Sequence, residues 1–179
     1  IATFSAHPLK VLNALGDAGY LVSNKKNIYT FLQKYKNHGL IGRDNSEIFG
    51  INSRLDSLNA AVLSFRLKKL NQVINKRARN IKIYMDNIKT DSFKFILDDK
   101  NSINSNTMLI SLAEKRDKLN DYLRSKGIES LVYYGKALHQ QKAFIDRYGK
   151  KTYKNSEKLV KQVISLPFHQ YLDKKKILH

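Results

Sequence analysis

The sequence predicts an α/β fold, and two observations support that class. Hydrophobic residues make up 42% of the 179 residues, which is enough for a buried core and too many for a disordered chain. Short segments with strand character alternate with segments whose apolar residues recur at helical spacing. This alternation favours a layered α/β or α+β body over a helical bundle.

The first predicted elements are two short strands and a helix. Residues 2–7 and 19–23 are the strands, and they flank a compact segment, residues 8–18. Residues 28–35 carry apolar side chains at helical spacing, and Gly39 follows at a position where a left-handed helix end is usual. A polar connector without clear periodicity comes next, at residues 42–50.

The strongest periodic signal begins at Leu55 and ends at Ile88. Its apolar residues keep close to one helical stripe and are Leu55, Leu58, Val62, Phe65, Val73, Ile74, Ile81, Met85 and Ile88. Ser53 and Asp56 have the spacing of a capping box just before this stripe. We predict one long helix, straight or bent, that links two regions. A coiled coil is the second interpretation, because the spacing drifts from strict heptads.

The last part of the chain begins with a polar, loop-like segment at residues 91–106, which includes a short apolar patch at 93–97. The elements predicted after it are a strand at 107–112, a helix at 115–126, a strand at 128–134 and a helix at 155–164. Gly127 is expected to end the first of these helices.

The charge is strongly positive, with 33 Lys and Arg residues against 15 acidic residues and a formal charge of +18. Such a charge attracts nucleic acid or anionic small molecules such as nucleotide sugars. The lysines are spread along the whole chain and form no single stripe, so a basic nucleic-acid-binding module is kept only as an alternative.

Several classes of site are excluded or disfavoured by composition. The chain has no cysteine, which excludes disulfides and thiolate metal sites, and no metal is predicted. No apolar run approaches the roughly 20 residues that span a bilayer, and the first residues lack a signal-peptide layout, so we expect a cytoplasmic protein without a membrane partner. The first residue is Ile1, and we expect the chain to be part of a longer protein.

One segment carries candidate chemistry, from Ser5 to Gly19. A lysine that condenses with an aldehyde must lie on a short, rigid connection, and a phosphate beside it needs hydroxyl or N–H donors. Lys10 follows Pro8, which stiffens the turn, and Ser5 offers a hydroxyl. On these residues alone, an ordinary solvated lysine is the commoner interpretation of Lys10.

Five sequence blocks follow one another along the chain. They are Ser-Ala-His-Pro-Leu-Lys at 5–10 with Gly-Asp-Ala-Gly at 16–19, Asn-His-Gly at 37–39, Gly-Ile-Asn-Ser-Arg-Leu-Asp-Ser-Leu-Asn-Ala-Ala at 50–61, Val-Tyr-Tyr to Leu-His at 132–139, and Leu-Pro-Phe-His at 166–169. Taken together, these blocks resemble the DegT/DnrJ/EryC1/StrS aminotransferases. The blocks come in the family's order and cover nearly the whole chain.

The resemblance implies a pyridoxal-phosphate-dependent transferase of fold type I. Residues 1–55 would be the C-terminal part of the large cofactor-binding domain, residues 56–90 a long linking helix, and residues 91–179 a truncated small C-terminal α/β domain. Such enzymes are homodimers that use pyridoxal 5'-phosphate. They move an amino group, typically from glutamate, to a keto group on a nucleotide-linked sugar, for polysaccharide or lipopolysaccharide precursors.

The resemblance also implies site residues. Lys10 would carry the cofactor and shuttle a proton, Ser5 would hold its phosphate, and Asn52 would reach the phosphate of the neighbouring subunit. The implied substrate-binding residues are Tyr133, Tyr134, His139 and Arg54. Structural alternatives stay open: Asn52 as a turn or cap residue, Arg54 as a brace, and His139 as a satisfied internal histidine.

Departures from the family pattern leave the sugar unidentified. Tyr133 stands where the family has His, Ile51 where Tyr is common, and Asn59 where Gln is common. Without the family's N-terminal cofactor residues, we expect this chain to be inactive alone. A non-catalytic or regulatory relative is a further alternative, whereas a sugar dehydratase is disfavoured because those relatives replace the lysine with His.

Overall fold

The computed structural model describes residues 1–96 and 102–179. The chain divides into two compact units, Ile1–Asn71 and Gln72–His179, and each is described by itself. The last residue of the apolar patch predicted at 93–97 lies outside the described residues.

The first unit begins with the two predicted strands, β1 (Ala2–Ser5) and β2 (Gly19–Val22). They pair antiparallel in a register that joins Ala2 to Val22 and Ser5 to Gly19. The predicted helix forms as α1 (Lys26–Tyr35). The predicted polar connector contains part of an antiparallel hairpin, β3 (Leu40–Ile41) and β4 (Asn45–Ser46), which the sequence analysis missed because each strand has only two residues.

The predicted long helix is two helices in the structure. Helix α2 (Ser57–Leu67) ends before α3 (Leu70–Asn87), and the backbone N–H of Lys69 bonds to the carbonyl of Arg66 at 3.0 Å, a tight three-residue closure. The predicted capping box is wrong. Asp56 is the N-cap residue of α2, but its side chain makes no capping bond.

The second unit contains a three-stranded antiparallel sheet of order β5-β6-β7. Its strands are β5 (Phe93–Phe95), β6 (Ile110–Ala113) and β7 (Val163–Ser165). The helices are α3, α4 (Arg116–Ser125), a 3-10 turn (Leu138–Gln140), α5 (Lys142–Tyr148), α6 (Lys154–Gln162) and α7 (Lys174–Leu178). The strand predicted at 128–134 is reduced to a single bridge between Leu131 and Ser165.

Gly127 ends α4 as predicted. Its φ is +73°, a conformation that glycine adopts without a steric penalty. The N–H groups of Gly127 and Ile128 bond back to the carbonyls of Arg124 and Leu123, each at 2.9 Å, so the last turn of α4 is closed.

Each unit has its own buried apolar residues. In the first unit these are Ala6, Ala14 and Leu63, with Leu12 and Ala18 packed against them. In the second they are Leu109, Ala113, Ala137, Ile164 and Leu166. Among the described residues, no helix is long and apolar enough to cross a membrane.

Candidate active site

The loop that carries Lys10 is closed at its base by backbone hydrogen bonds. It joins β1 to β2, and the N–H of Ala6 bonds to the carbonyl of Ala18 at 2.8 Å, while the N–H of Ala14 bonds to the carbonyl of Ala6 at 2.8 Å. Lys10 donates its backbone N–H to His7 at 2.8 Å and accepts from the N–H of Asn13 at 3.2 Å. The backbone of Lys10 is therefore fixed in a turn, while its side chain is exposed.

Ser5 ends β1 and precedes this loop, and its side chain is also exposed. Its Oγ accepts a 3.4 Å bond from the N–H of His7, which leaves the hydroxyl hydrogen able to donate elsewhere. A primary amine and a hydroxyl on one ordered segment form a donor set that fits a phosphorylated aldehyde. Residues of this chain alone do not bury Lys10.

Helix α2 holds the loop from one side through three residues on one face. The Oδ1 of Asn59 accepts the N–H of Leu15 at 3.1 Å, and Arg66 donates from Nη1 to the carbonyl of Asn13. Leu63, between them on the helix, is 6% exposed and packs in the Ala6 and Ala14 cluster. The sequence analysis missed these contacts, since a helical stripe shows which face is buried but not its partners.

The motifs at 37–39 and 50–56 lie side by side. Asn37 and Asn52 form an antiparallel bridge, and the N–H of His38 bonds to the carbonyl of Ile51 at 3.0 Å. Arg54 donates from Nη2 to Oδ1 of Asn37 at 2.8 Å. Asn52 and Arg54 are exposed, so Arg54 braces this junction with one donor while its side chain stays accessible.

Two glycines allow this junction to close. Gly39 has φ +76°, and a Cβ at this position would lie 1.6 Å from the carbonyl oxygen of Ile48. A Cβ on Gly50 would lie 2.3 Å from the N of Gly39 and 2.6 Å from the carbonyl oxygen of Tyr35. The close approach of these backbones requires glycine at both positions.

The predicted substrate-binding residues of the second unit occupy different environments. Tyr134 is 73% exposed with φ +62°, and Tyr133 is half-buried, with the two ring centres 6.4 Å apart. His139 is 6% exposed, and its Nε2 lies 3.0 Å from Oε1 of Glu157. It also borders a cavity of about 470 Å³ that Lys136 and other basic residues line.

The His139 pair is part of a small network that also includes Tyr153. Oε1 of Glu157 also accepts the N–H of Tyr153 at 3.1 Å, and the ring of Tyr153 packs edge-on against His139 with centres 4.9 Å apart. The bond from the Tyr153 N–H, followed by the bond from His139, lowers the pKa of Glu157. This geometry favours the structural alternative for His139; its role toward substrate stays a prediction.

Three residues of α3 that the sequence analysis missed hold the segment after β7. Asn80 is fully buried, and its Nδ2 donates to the carbonyls of His169 at 3.0 Å and Leu172 at 3.1 Å. The hydroxyl of Tyr84 donates to Pro167 at 2.9 Å, and burial raises the pKa of that hydroxyl. Arg77 donates to Gln170 at 2.9 Å. The Leu-Pro-Phe-His motif is thus fixed by helix side chains.

Residues 1–179 match the sequence model of the DegT/DnrJ/EryC1/StrS aminotransferase family. The chain belongs to this family. The match confirms the family that the five sequence blocks predicted.

Two similar proteins show how much of the family's length the chain covers. A pleiotropic regulatory protein of Geobacillus stearothermophilus is 29% identical over 170 residues, which are 93% of this chain and 46% of that protein. The UDP-2-acetamido-2-deoxy-3-oxo-D-glucuronate aminotransferase of Pseudomonas aeruginosa is 29% identical over 173 residues, which are 97% of this chain and 48% of that protein.

A solved structure shows a similar coverage. The DegT DnrJ EryC1 StrS aminotransferase from Brucella abortus has a TM-score of 0.89 and 31% identity, over 98% of this chain and 48% of its own. This likeness confirms the predicted fold class. The chain spans about half the length of the relatives that it matches.

Proposed function

We propose that this chain is the C-terminal half of a pyridoxal-phosphate-dependent sugar aminotransferase. The observation that carries the proposal is Lys10, held in a hydrogen-bonded turn directly after the strand that ends at Ser5, in a chain that matches the family over residues 1–179. The complete enzyme moves an amino group from an amino acid, glutamate, to the keto group of a nucleotide-linked sugar.

Lys10 has two tasks in this proposal. Pyridoxal phosphate supplies an aldehyde for the amine and a ring that withdraws electrons from the substrate carbon. The Nζ of Lys10 would hold the cofactor by condensing with its aldehyde, and as a free amine it would move a proton to or from the reacting carbon. Because Lys10 is exposed in this chain, the cover that excludes water from it comes from other parts of the enzyme.

The other predicted residues bind and orient. Ser5 donates its hydroxyl to the cofactor phosphate, and Asn52 offers its amide to the phosphate of the neighbouring site in a homodimer. Arg54, Tyr133 and Tyr134 contact the nucleotide sugar, where the positive charge of the chain attracts the diphosphate. We place the enzyme in the cytoplasm, making precursors of surface polysaccharide or lipopolysaccharide.

The test is Lys10→Ala in the complete enzyme, compared with Lys10→Arg and with Lys25→Ala, which removes an exposed lysine outside the loop. We expect both Lys10 variants to lose the visible absorption band of the bound cofactor and to slow amino transfer by at least about 10³-fold. Lys25→Ala should keep both. A pyridoxyl group that stays covalently attached to the Lys10→Ala protein after borohydride reduction and denaturation would overturn the assignment.

The isolated chain, residues 1–179, should show no amino transfer with glutamate and a keto sugar nucleotide. The reason is that it lacks about half the length of its relatives. Turnover by the isolated chain would contradict the proposal that a further half is needed.

A regulatory role is a second candidate, because a similar protein is named a pleiotropic regulatory protein. It predicts that the complete protein binds pyridoxal phosphate through Lys10 but turns over no keto sugar nucleotide. Amino transfer to any such sugar would exclude a purely regulatory role.

A further inference from the structure

We propose that Asn59 and Arg66 of α2 are positioning residues that fix the loop of Lys10 for reaction with the cofactor. The inference rests on the proposed function of Lys10. It adds two residues to which the family resemblance assigns no role.

Both residues contact the loop just after Lys10. Arg66 donates to the carbonyl of Asn13, and the N–H of Asn13 in turn donates to the carbonyl of Lys10 at 3.2 Å. The Asn13 residue is therefore bonded to Lys10 on one side and to α2 on the other. Asn59 holds the loop two residues further on, through the N–H of Leu15 at 3.1 Å.

A buried apolar contact lies between the two polar ones. Leu63 is four residues after Asn59 and three before Arg66, so all three side chains share one face of α2. Leu63 packs with Ala14, whose N–H closes the loop on Ala6. The helix thus holds the loop at three points, which limits both sliding and rotation of the turn that carries Lys10.

Neither of the hydrogen bonds made by Asn59 and Arg66 serves to neutralise a buried charge. Asn59 and Arg66 are half-buried, and Arg66 bonds to a neutral backbone carbonyl. Leu15 is 59% exposed, so water could replace the Asn59 amide with little loss of stability. Water would not hold the loop in one fixed geometry, and the orientation of the Lys10 amine depends on that geometry.

The test uses the complete enzyme and the variants Asn59→Ala and Arg66→Met, which remove the acceptor and the donor. The matched variants Asn59→Asp and Arg66→Lys keep an acceptor and a donor, and Ser64→Ala, at an exposed position of the same helix, is the control. The first readout is the rate at which pyridoxal phosphate binds covalently to apoenzyme, followed by visible absorbance. The second is the separate effect on kcat and KM.

We expect Asn59→Ala and Arg66→Met to slow covalent attachment and kcat by about tenfold each, because the amine is misplaced, while KM for the amino donor changes less than about twofold. Asn59→Asp and Arg66→Lys should recover most of the loss, and Ser64→Ala should match the wild type. If Asn59→Ala did not fold, the same comparison between Asn59→Ser and Asn59→Asp would decide.

Two failures are distinguishable. If the folded Asn59→Ala and Arg66→Met enzymes attach the cofactor at the wild-type rate, the positioning role is wrong and the function of Lys10 stands. If Lys10→Ala also attaches the cofactor covalently, the proposed function is wrong and the positioning role falls with it. A loss that the Asp and Lys variants do not recover would also overturn the positioning role, since the lost bond would not be its cause.

Discussion

The two units hold their motif segments in different ways. In the first unit, the segments at 35–39 and 50–53 are joined by backbone hydrogen bonds and by glycines at close approach, and the side chains of Asn52 and Arg54 stay exposed. In the second, the motif at 166–169 is held by the buried side chain of Asn80 and the half-buried side chain of Tyr84, which donate to its carbonyls or to one that follows.

This difference indicates that side chains have different roles in the two units. Where the backbone provides the structure, side chains remain available for cofactor and substrate, as proposed for Ser5, Lys10 and Asn52. Where side chains provide the structure, their donors are already used within the chain, as the Nδ2 of Asn80 is by two carbonyls, and His139 is paired with Glu157. The following substitutions should separate backbone-held from side-chain-held segments, beginning with the largest expected effect.

Gly39→Ala should be the most damaging change in the first unit. A methyl group would meet the Ile48 carbonyl at 1.6 Å, and φ is +76°, so we expect a loss of about 3 kcal/mol or more. Gly42→Ala is the matched control, because Gly42 has φ +77° but nothing within 4 Å of the added Cβ. It should cost only about 1 kcal/mol, from the unfavourable φ alone.

Urea denaturation of the complete enzyme measures the loss in free energy of unfolding for each glycine variant, and hydrogen exchange shows which residues are destabilised. Faster exchange at residues 35–53 in Gly39→Ala is the expected result. Equal losses for the two glycine variants would contradict the close-approach argument.

Asn80→Ala should be the corresponding destabilising substitution in the second unit. It removes a fully buried side chain and leaves the carbonyls of His169 and Leu172 without that donor, which we expect to cost about 2 to 3 kcal/mol. Asn87→Ala, on an exposed part of α3, is the control and should cost less than about 0.5 kcal/mol. Thermal unfolding measures both, and a cost for Asn80→Ala as small as that of Asn87→Ala would show that side chains do not hold this segment.

Glu157→Gln should have the smallest effect, and that effect should depend on pH. The folded state lowers the pKa of Glu157, first through the Tyr153 N–H and then through His139, so ionised Glu157 stabilises the fold above the pKa that it has in the unfolded chain. That contribution is lost as pH falls through the lower, folded pKa.

The melting temperature of the wild type should therefore exceed that of Glu157→Gln near neutral pH, and the difference should shrink as pH falls through the acid range. Glu129→Gln, at an exposed glutamate, is the control. A difference between wild type and Glu157→Gln that stays constant from neutral pH to acid would contradict the pKa shift.

Local patterns predicted much of the secondary structure. The strands around the Lys10 loop, helix α1, and the end of α4 at Gly127 were all predicted from short segments. The prediction of a single helix from residue 55 was wrong. Apolar residues keep their helical spacing on both sides of Lys69, but the backbone closes into a tight turn at Lys69 and separates two helices. The hairpin at 40–46 was missed, because two-residue strands carry no periodic signal.

By itself, the sequence determined the family and the candidate cofactor lysine, because these depend on ordered blocks of neighbouring residues. Only the tertiary structure decided that Asn59 and Arg66 hold the Lys10 loop, that Asn37 meets Asn52, and that Asn80 reaches a segment 89 residues away along the chain. The physical reason is that periodicity records which face of an element is apolar, whereas a hydrogen bond between distant residues depends on how the chain folds back on itself.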